Sequence, residues 1–253
     1  MTKTVSIGKQ DFASLREQNS FYIDKTDLIR AWWESQDDIT LITRPRRFGK
    51  SMAADMLAAY YARGEDSAEL FEALKISKAE SYEKHRNQYD VIKVNMQEFL
   101  SMTHSMDEML VMLQKYLIFD LMDHFETVRF RDEHNLIQVM KDIYSKTNHS
   151  FIILIDEWDC LFREYKQDKE AQKEYLDFLR AWLKDKDYVA LAYMTGILPV
   201  KKYGEHSALN MFDEYSMTNQ RELAEFTGFW KIAGRLFPDY YRRSRICGTE
   251  HSF

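Results

Sequence analysis

Ile39-Thr40-Leu41-Ile42-Thr43 leads into Arg44-Pro45-Arg46-Arg47-Phe48-Gly49-Lys50-Ser51, and a helical spacing of apolar residues covers Lys50 to Arg63. An uncharged, β-branched-rich run of this length reads as a strand covered on both faces, the usual condition of a parallel sheet. Strand, tight loop and helix start together aim unsatisfied backbone N–H groups and the positive end of a helix dipole at one point, as a phosphate chain requires. In such a loop Gly49 lets the backbone come close, Lys50 reaches the β and γ phosphates, and Ser51 offers a hydroxyl to Mg2+. The spacing fits the Walker A pattern G-x-x-x-x-G-K-[ST] except at its first position, where Arg44 replaces glycine and Pro45 biases it towards an extended backbone. Taken alone, Gly-Lys-Ser also fits an ordinary helix start with an exposed lysine. Arg46 and Arg47 are open to two readings, charge-assisted bonds to phosphate or a solvated face.

Further along, Phe151 to Ile155 runs straight into Asp156-Glu157-Trp158-Asp159, and Val189 to Met194 ends in Thr195-Gly196. An acid at the end of a buried strand holds magnesium in a Walker B element, and a following glutamate orients the attacking water; Asp156 and Glu157 fit those two roles. Thr195 either senses the γ phosphate or water, or belongs to a strand-ending turn. Asp159 is likewise open to two readings, a role at the same strand end or only a cap for the turn or helix that follows. Weaker strand candidates are Val91 to Met96 and Phe212 to Met217, and helical spacing recurs over Met106 to Phe125, Leu136 to Thr147 and Lys169 to Lys186. Strands alternating with helices predict an α/β fold, a three-layer P-loop NTPase core with a mainly parallel sheet. Open sheets of this kind bind ligands at the carboxyl ends of their strands, so the three polar strand ends are expected to share one crevice.

The 253 residues suffice for one main domain with a substantial core, and 45% hydrophobic with 30% charged residues is a globular composition. A net charge of -6 gives no global argument for nucleic acid or an anionic membrane. No apolar run approaches the roughly 18 residues that span a bilayer, and the opening MTKTVSIGKQ lacks a secretory core, so a cytoplasmic protein is expected. Cys160 and Cys247 support neither a disulfide framework nor a zinc site. The 13 methionines, several between Met96 and Met122, read as core filling. From about Trp230 the chain mixes aromatics and arginines without periodicity, which reads as an irregular tail.

Phe12-Ala13-Ser14-Leu15-Arg16-Glu17, Tyr22-Ile23-Asp24-Lys25-Thr26, Leu41 to Ser51, Ile155 to Asp159 and Thr195-Gly196-Ile197-Leu198-Pro199 together resemble the bacterial AAA-ATPase-like family. The resemblance spans roughly residues 4 to 229, and its Arg-Pro-Arg-Arg-Phe-Gly-Lys-Ser element is highly specific. It implies an ATP-binding core of the additional-strand type, in which the strand ending at Thr195 lies between the phosphate-loop strand and the strand ending at Asp156. It accounts for arginine at position 44, implies a base-side role for Asp24, Lys25 and Thr26, and makes ATP and Mg2+ the expected cofactors. Ser207-Ala208-Leu209-Asn210 matches the pattern without revealing a task, and Trp158 stands where the family more often has tyrosine. The implied layout is an N-terminal segment over 1–37 beside the nucleotide, an ATPase core over 38–218, and a tail over 219–253. Members often continue into a domain similar to PD-(D/E)XK nucleases; here the similarity fades after Phe229, so that domain and a helical lid are expected to be missing, as in a truncated or frame-altered product.

Two functions follow as expectations: an ATPase whose hydrolysis drives a conformational change, or a nucleotide-binding regulatory module with little turnover. Nucleic-acid handling is a third, suggested by the nuclease-like partner domain and by Lys231, Arg235, Arg242, Arg243 and Arg245, which equally fit a solvated tail. A protein partner or a homo-oligomer stays open.

Overall fold

A computed structural model describes residues 11–199 and 211–216, together with Leu223 and Phe226. Five strands, β1 (Ile39–Thr43), β2 (Asp90–Asn95), β3 (Phe151–Asp156), β4 (Val189–Gly196) and β5 (Asp213–Tyr215), form one sheet in the order β2-β3-β4-β1-β5. Every pairing is parallel. β4 therefore lies between β1 and β3, in the additional-strand order expected from the resemblance. The register sets Thr43 opposite Gly196, Ile155 opposite Met194 and Asn95 opposite Asp156, so the carboxyl ends of four strands meet along one edge.

Helices α1 (Phe12–Glu17) and α2 (Asp27–Ser35) precede β1, and α3 (Lys50–Tyr61) follows it. α4 (Ala68–Phe71) and α5 (Tyr82–His85) lead to β2; α6 (Met96–Ser101), α7 (Met106–His124) and α8 (Leu136–Thr147) lie between β2 and β3. α9 (Cys160–Glu164) and α10 (Lys169–Leu183) join β3 to β4. Alternation along β3 builds the two helix–sheet layers. Phe151, Ile153 and Ile155 enter a core with α7, α8 and α10, whereas Ile152 and Leu154 enter a second core with α2 and α3. Each such side chain contributes about 1.5–3 kcal/mol on burial, which is why a run apolar at every position stays in the centre of the sheet.

The ends of these elements follow local hydrogen bonding more than periodicity. β2 stops at Asn95, one residue short of the strand expected to reach Met96, because the Asn95 side chain accepts from Gln97 N and starts α6. α3 ends at Tyr61, short of the expected Arg63, because Ala62 pairs with Tyr89 ahead of β2. α10 ends at Leu183 and β5 keeps only three residues, both shorter than expected. Met96, Met106 and Met109 are core residues as read, whereas Met102 is exposed. Cys160 is fully buried, and burial pushes its thiol up to about 12. Among the described residues no helix is long and apolar enough to cross a membrane. Cys247, the opening decapeptide, Ser207 to Asn210 and the basic residues from Lys231 to Arg245 lie outside the described residues.

Candidate functional site

The loop between β1 and α3 turns through two left-handed residues, Arg47 at φ 69° and Gly49 at φ 76°. Glycine takes that conformation without steric cost, and with Gly49 at the N-cap position no side chain caps the first turn of α3. The helix start therefore presents its amide donors. Arg46 and Arg47 are exposed beside it, and the Lys50 side chain is buried, its Nζ donating to Pro45 O at 3.2 Å. Burial lowers the proton affinity of Lys50, against the opposing pull of Glu157, Asp156 and Asp159.

Arg44 has a different use. Its fully buried guanidinium donates through Nη1 to Thr43 O at 2.8 Å and Tyr215 O at 3.0 Å, fastening the loop's root to β5. Only its backbone remains with the loop, which gives the arginine in place of glycine a physical reason: the side chain is a sheet-edge tie.

Asp156 collects the neighbouring strand ends. Ser51 Oγ donates to its Oδ2 at 2.5 Å, Thr195 Oγ1 donates to its Oδ1, and Glu157 N reaches the same oxygen at 3.0 Å. Lys50, Ser51, Asp156, Glu157 and Thr195 thus stand together where β1, β3 and β4 end. Asp24 and Thr26 make a separate joint. Asp24 accepts from Thr26 N and Oγ1 and from Lys75 N, and Thr26 Oγ1 accepts from Ile76 N, tying the chain before α2 to the 3-10 turn Lys75–Lys78. Among the described residues no hydrogen bond joins Asp24 or Thr26 to the loop between β1 and α3.

Of the two readings of Asp159, the cap does not hold, because its carboxylate makes no hydrogen bond to the start of α9. It is fully buried and accepts from Ile197 N at 3.1 Å and Leu198 N at 2.8 Å, pinning the chain that leaves β4. Arg163, which the sequence reading missed, donates to Glu157 Oε2 at 2.5 Å and faces Asp159 Oδ2 at 3.7 Å. Its position four residues after Asp159, on one helix face, was the available signal.

Gly196 allows this crowding. A Cβ there would lie 2.5 Å from Trp158 Cδ1 and 2.7 Å from Asp159 Oδ1. Gly196→Ala is expected to cost at least about 1–3 kcal/mol of stability through overpacking. Denaturant unfolding checks this, and an unchanged midpoint would contradict it.

A cavity of about 400 Å³ lies elsewhere, between Arg63, Asp90, His124 and Phe151. Asp90 and Phe151 begin β2 and β3, so it lies at the amino ends of the strands, opposite the loop between β1 and α3.

A five-stranded parallel sheet with this strand order and a helix starting from Gly-Lys-Ser defines a P-loop NTPase-like core. The chain belongs to the family described as "Predicted AAA-ATPase", which matches residues 6–204 and points to nucleotide binding. It is also 25% identical over 228 residues to a protein of Azotobacter chroococcum mcd 1 described as "Uncharacterized protein in vnfD 5'region". The match covers 86% of this chain and 42% of the relative, so the chain spans less than half of that protein's length.

Proposed function

We propose that this domain binds ATP with Mg2+ at the loop from Arg44 to Ser51 and hydrolyses it to drive a conformational change. The observation that carries the reading is the meeting of Ser51 Oγ and Asp156 Oδ2 at the start of α3. Mg2+ is ordinarily held by one or two carboxylates, with phosphate oxygens and water completing its octahedron. A serine hydroxyl and a carboxylate at a helix N-terminus form such a partial donor set, and they fit a metal that arrives with a triphosphate. Among the described residues there is no group of three or more His, Cys, Asp or Glu that would bind a metal without the nucleotide.

The remaining residues have roles consistent with phosphoryl transfer, where catalysis is mainly positioning and charge stabilisation. Amides from Arg47 to Ser51 receive the phosphates, and Lys50 places its ammonium at the β and γ oxygens. Ser51 and Asp156 would hold the magnesium, which would supply positive charge against that of the phosphates. Glu157 orients the water, and Thr195, already hydrogen-bonded to Asp156, fixes that carboxylate from the next strand. Asp24, Lys25 and Thr26 are proposed to shape the base side through backbone and packing, since the Asp24 and Thr26 side chains are engaged with Lys75 and Ile76.

The test is equilibrium binding of ATP, with and without magnesium, alongside a single-turnover assay. Magnesium-dependent binding followed by phosphate release is the expected result. Binding with the triphosphate left intact would favour a regulatory module instead, and absence of binding would remove the reading.

A further inference from the structure

Arg163 lies outside the motifs that identify the fold, yet it holds the carboxylate proposed to orient water. One nitrogen, Nη2, donates to Glu157 Oε2 at 2.5 Å and to Gln97 Oε1 at 3.4 Å. Its Nε faces the buried carboxylate of Asp159, the group that pins Ile197 and Leu198. Arg163 therefore connects α6, the end of β3 and the exit of β4. The Arg163 and Glu157 side chains are only 17% and 23% exposed, so salt screens them less than a surface pair.

Two features make this contact directional. Glu157 occupies the left-handed region at φ 53°, a conformation that non-glycine residues keep only where surrounding contacts enforce it. Among the described residues Oε1 of Glu157 accepts no hydrogen bond, so one carboxylate oxygen is anchored and the other keeps its acceptor capacity. Lys50 senses Glu157 most strongly of its acidic neighbours and Arg163 as an opposing cation, which places the pair within electrostatic reach of the phosphate-binding ammonium.

Resting on the hydrolytic reading above, we infer that Arg163 is a positioning residue for Glu157, anchoring Oε2 so that Oε1 accepts a hydrogen bond from the attacking water. The arrangement is a base oriented by a third group. It matters because a displacement of about 1 Å at a reacting centre can cost about 10²-fold in rate.

The experiment compares wild type, Arg163→Ala, Arg163→Lys, Glu157→Gln and the double variant Arg163→Ala/Glu157→Gln, each by ATP binding and single-turnover phosphate release. Arg163→Ala is expected to lower turnover about tenfold or more with binding changed less than about threefold. Arg163→Lys should recover part of the rate, since an ammonium keeps the charge and loses the planar fork. In the Glu157→Gln background, Arg163→Ala should cost less than about twofold further, because the two residues act as one unit. Equal losses in both backgrounds, or a parallel loss of binding, would show a merely structural ion pair and overturn the assignment. If Arg163→Ala does not fold, Arg163→Lys decides, since wild-type turnover in that variant also overturns it. Wild-type protein that releases no phosphate removes the hydrolytic reading and this assignment together. Wild-type turnover matched by Arg163→Ala removes this assignment alone.

Discussion

Lys50→Ala is expected to weaken ATP binding by about 2–5 kcal/mol, the cost of truncating one partner of a desolvated charge pair. At about 1.4 kcal/mol per decade this is roughly a 30- to 4,000-fold rise in Kd. The ammonium is buried at the first residue of α3, and it donates a hydrogen bond to Pro45 O, a neutral acceptor on the same loop. Burial already works against its charged form, with Glu157, Asp156 and Asp159 compensating. A polyphosphate brings a much larger negative charge to the same point, so the lysine gains more from ligand than from its present partner. Removing it leaves Asp156 and Glu157 at the same strand end without that cation, which adds repulsion to the lost attraction. Titration with ATP at fixed magnesium measures the effect, and thermal unfolding of the unliganded variant separates it from misfolding. A Kd equal to that of wild type would show that the triphosphate does not meet Lys50.

Much of this arrangement was legible in sequence because buried parallel strands leave an unbroken apolar signal. Phe151 to Ile155 faces helices on both sides, so no polar residue interrupts it, and the acids that follow mark the strand's end. Strand order was legible only through the resemblance, and the insertion of β4 between β1 and β3 agrees with it. Side-chain destinations were not legible, since they depend on contacts between distant segments. Arg44 sits in a loop that invites a phosphate role, but its guanidinium is buried and tied through Nη1 to a carbonyl of β5, 171 positions away. Asp159 follows the strand as a capping acid would, yet its partners are amides beyond β4. Arg163 carries no motif, and its bond to Glu157, though only six residues apart, spans the turn from β3 into α9, where no regular period predicts a contact. In each case the residue type is ordinary and the chemistry comes from what the topology sets beside it.

Glu157→Gln is expected to separate binding from chemistry. Glutamine keeps the side chain's length and an oxygen that can still accept from Arg163, so the loop, Ser51 and Asp156 stay in place. Magnesium-dependent ATP binding should therefore remain within about threefold of wild type, since no atom proposed to touch phosphate or metal has changed. The neutral amide cannot take up the developing charge of the attacking water. Hydrolysis should fall at least about tenfold, in line with the 10²- to 10⁴-fold typically supplied by a positioned acid or base. The variant's pairing also changes, because Arg163 exchanges a carboxylate for a weaker neutral acceptor while Asp159 still faces its Nε. A modest loss of stability can accompany the rate loss, and unfolding measured alongside phosphate release keeps the two apart. Retained binding with slowed release places Glu157 at the water. Hydrolysis equal to wild type would move that role to another group while leaving the phosphate loop's assignment intact.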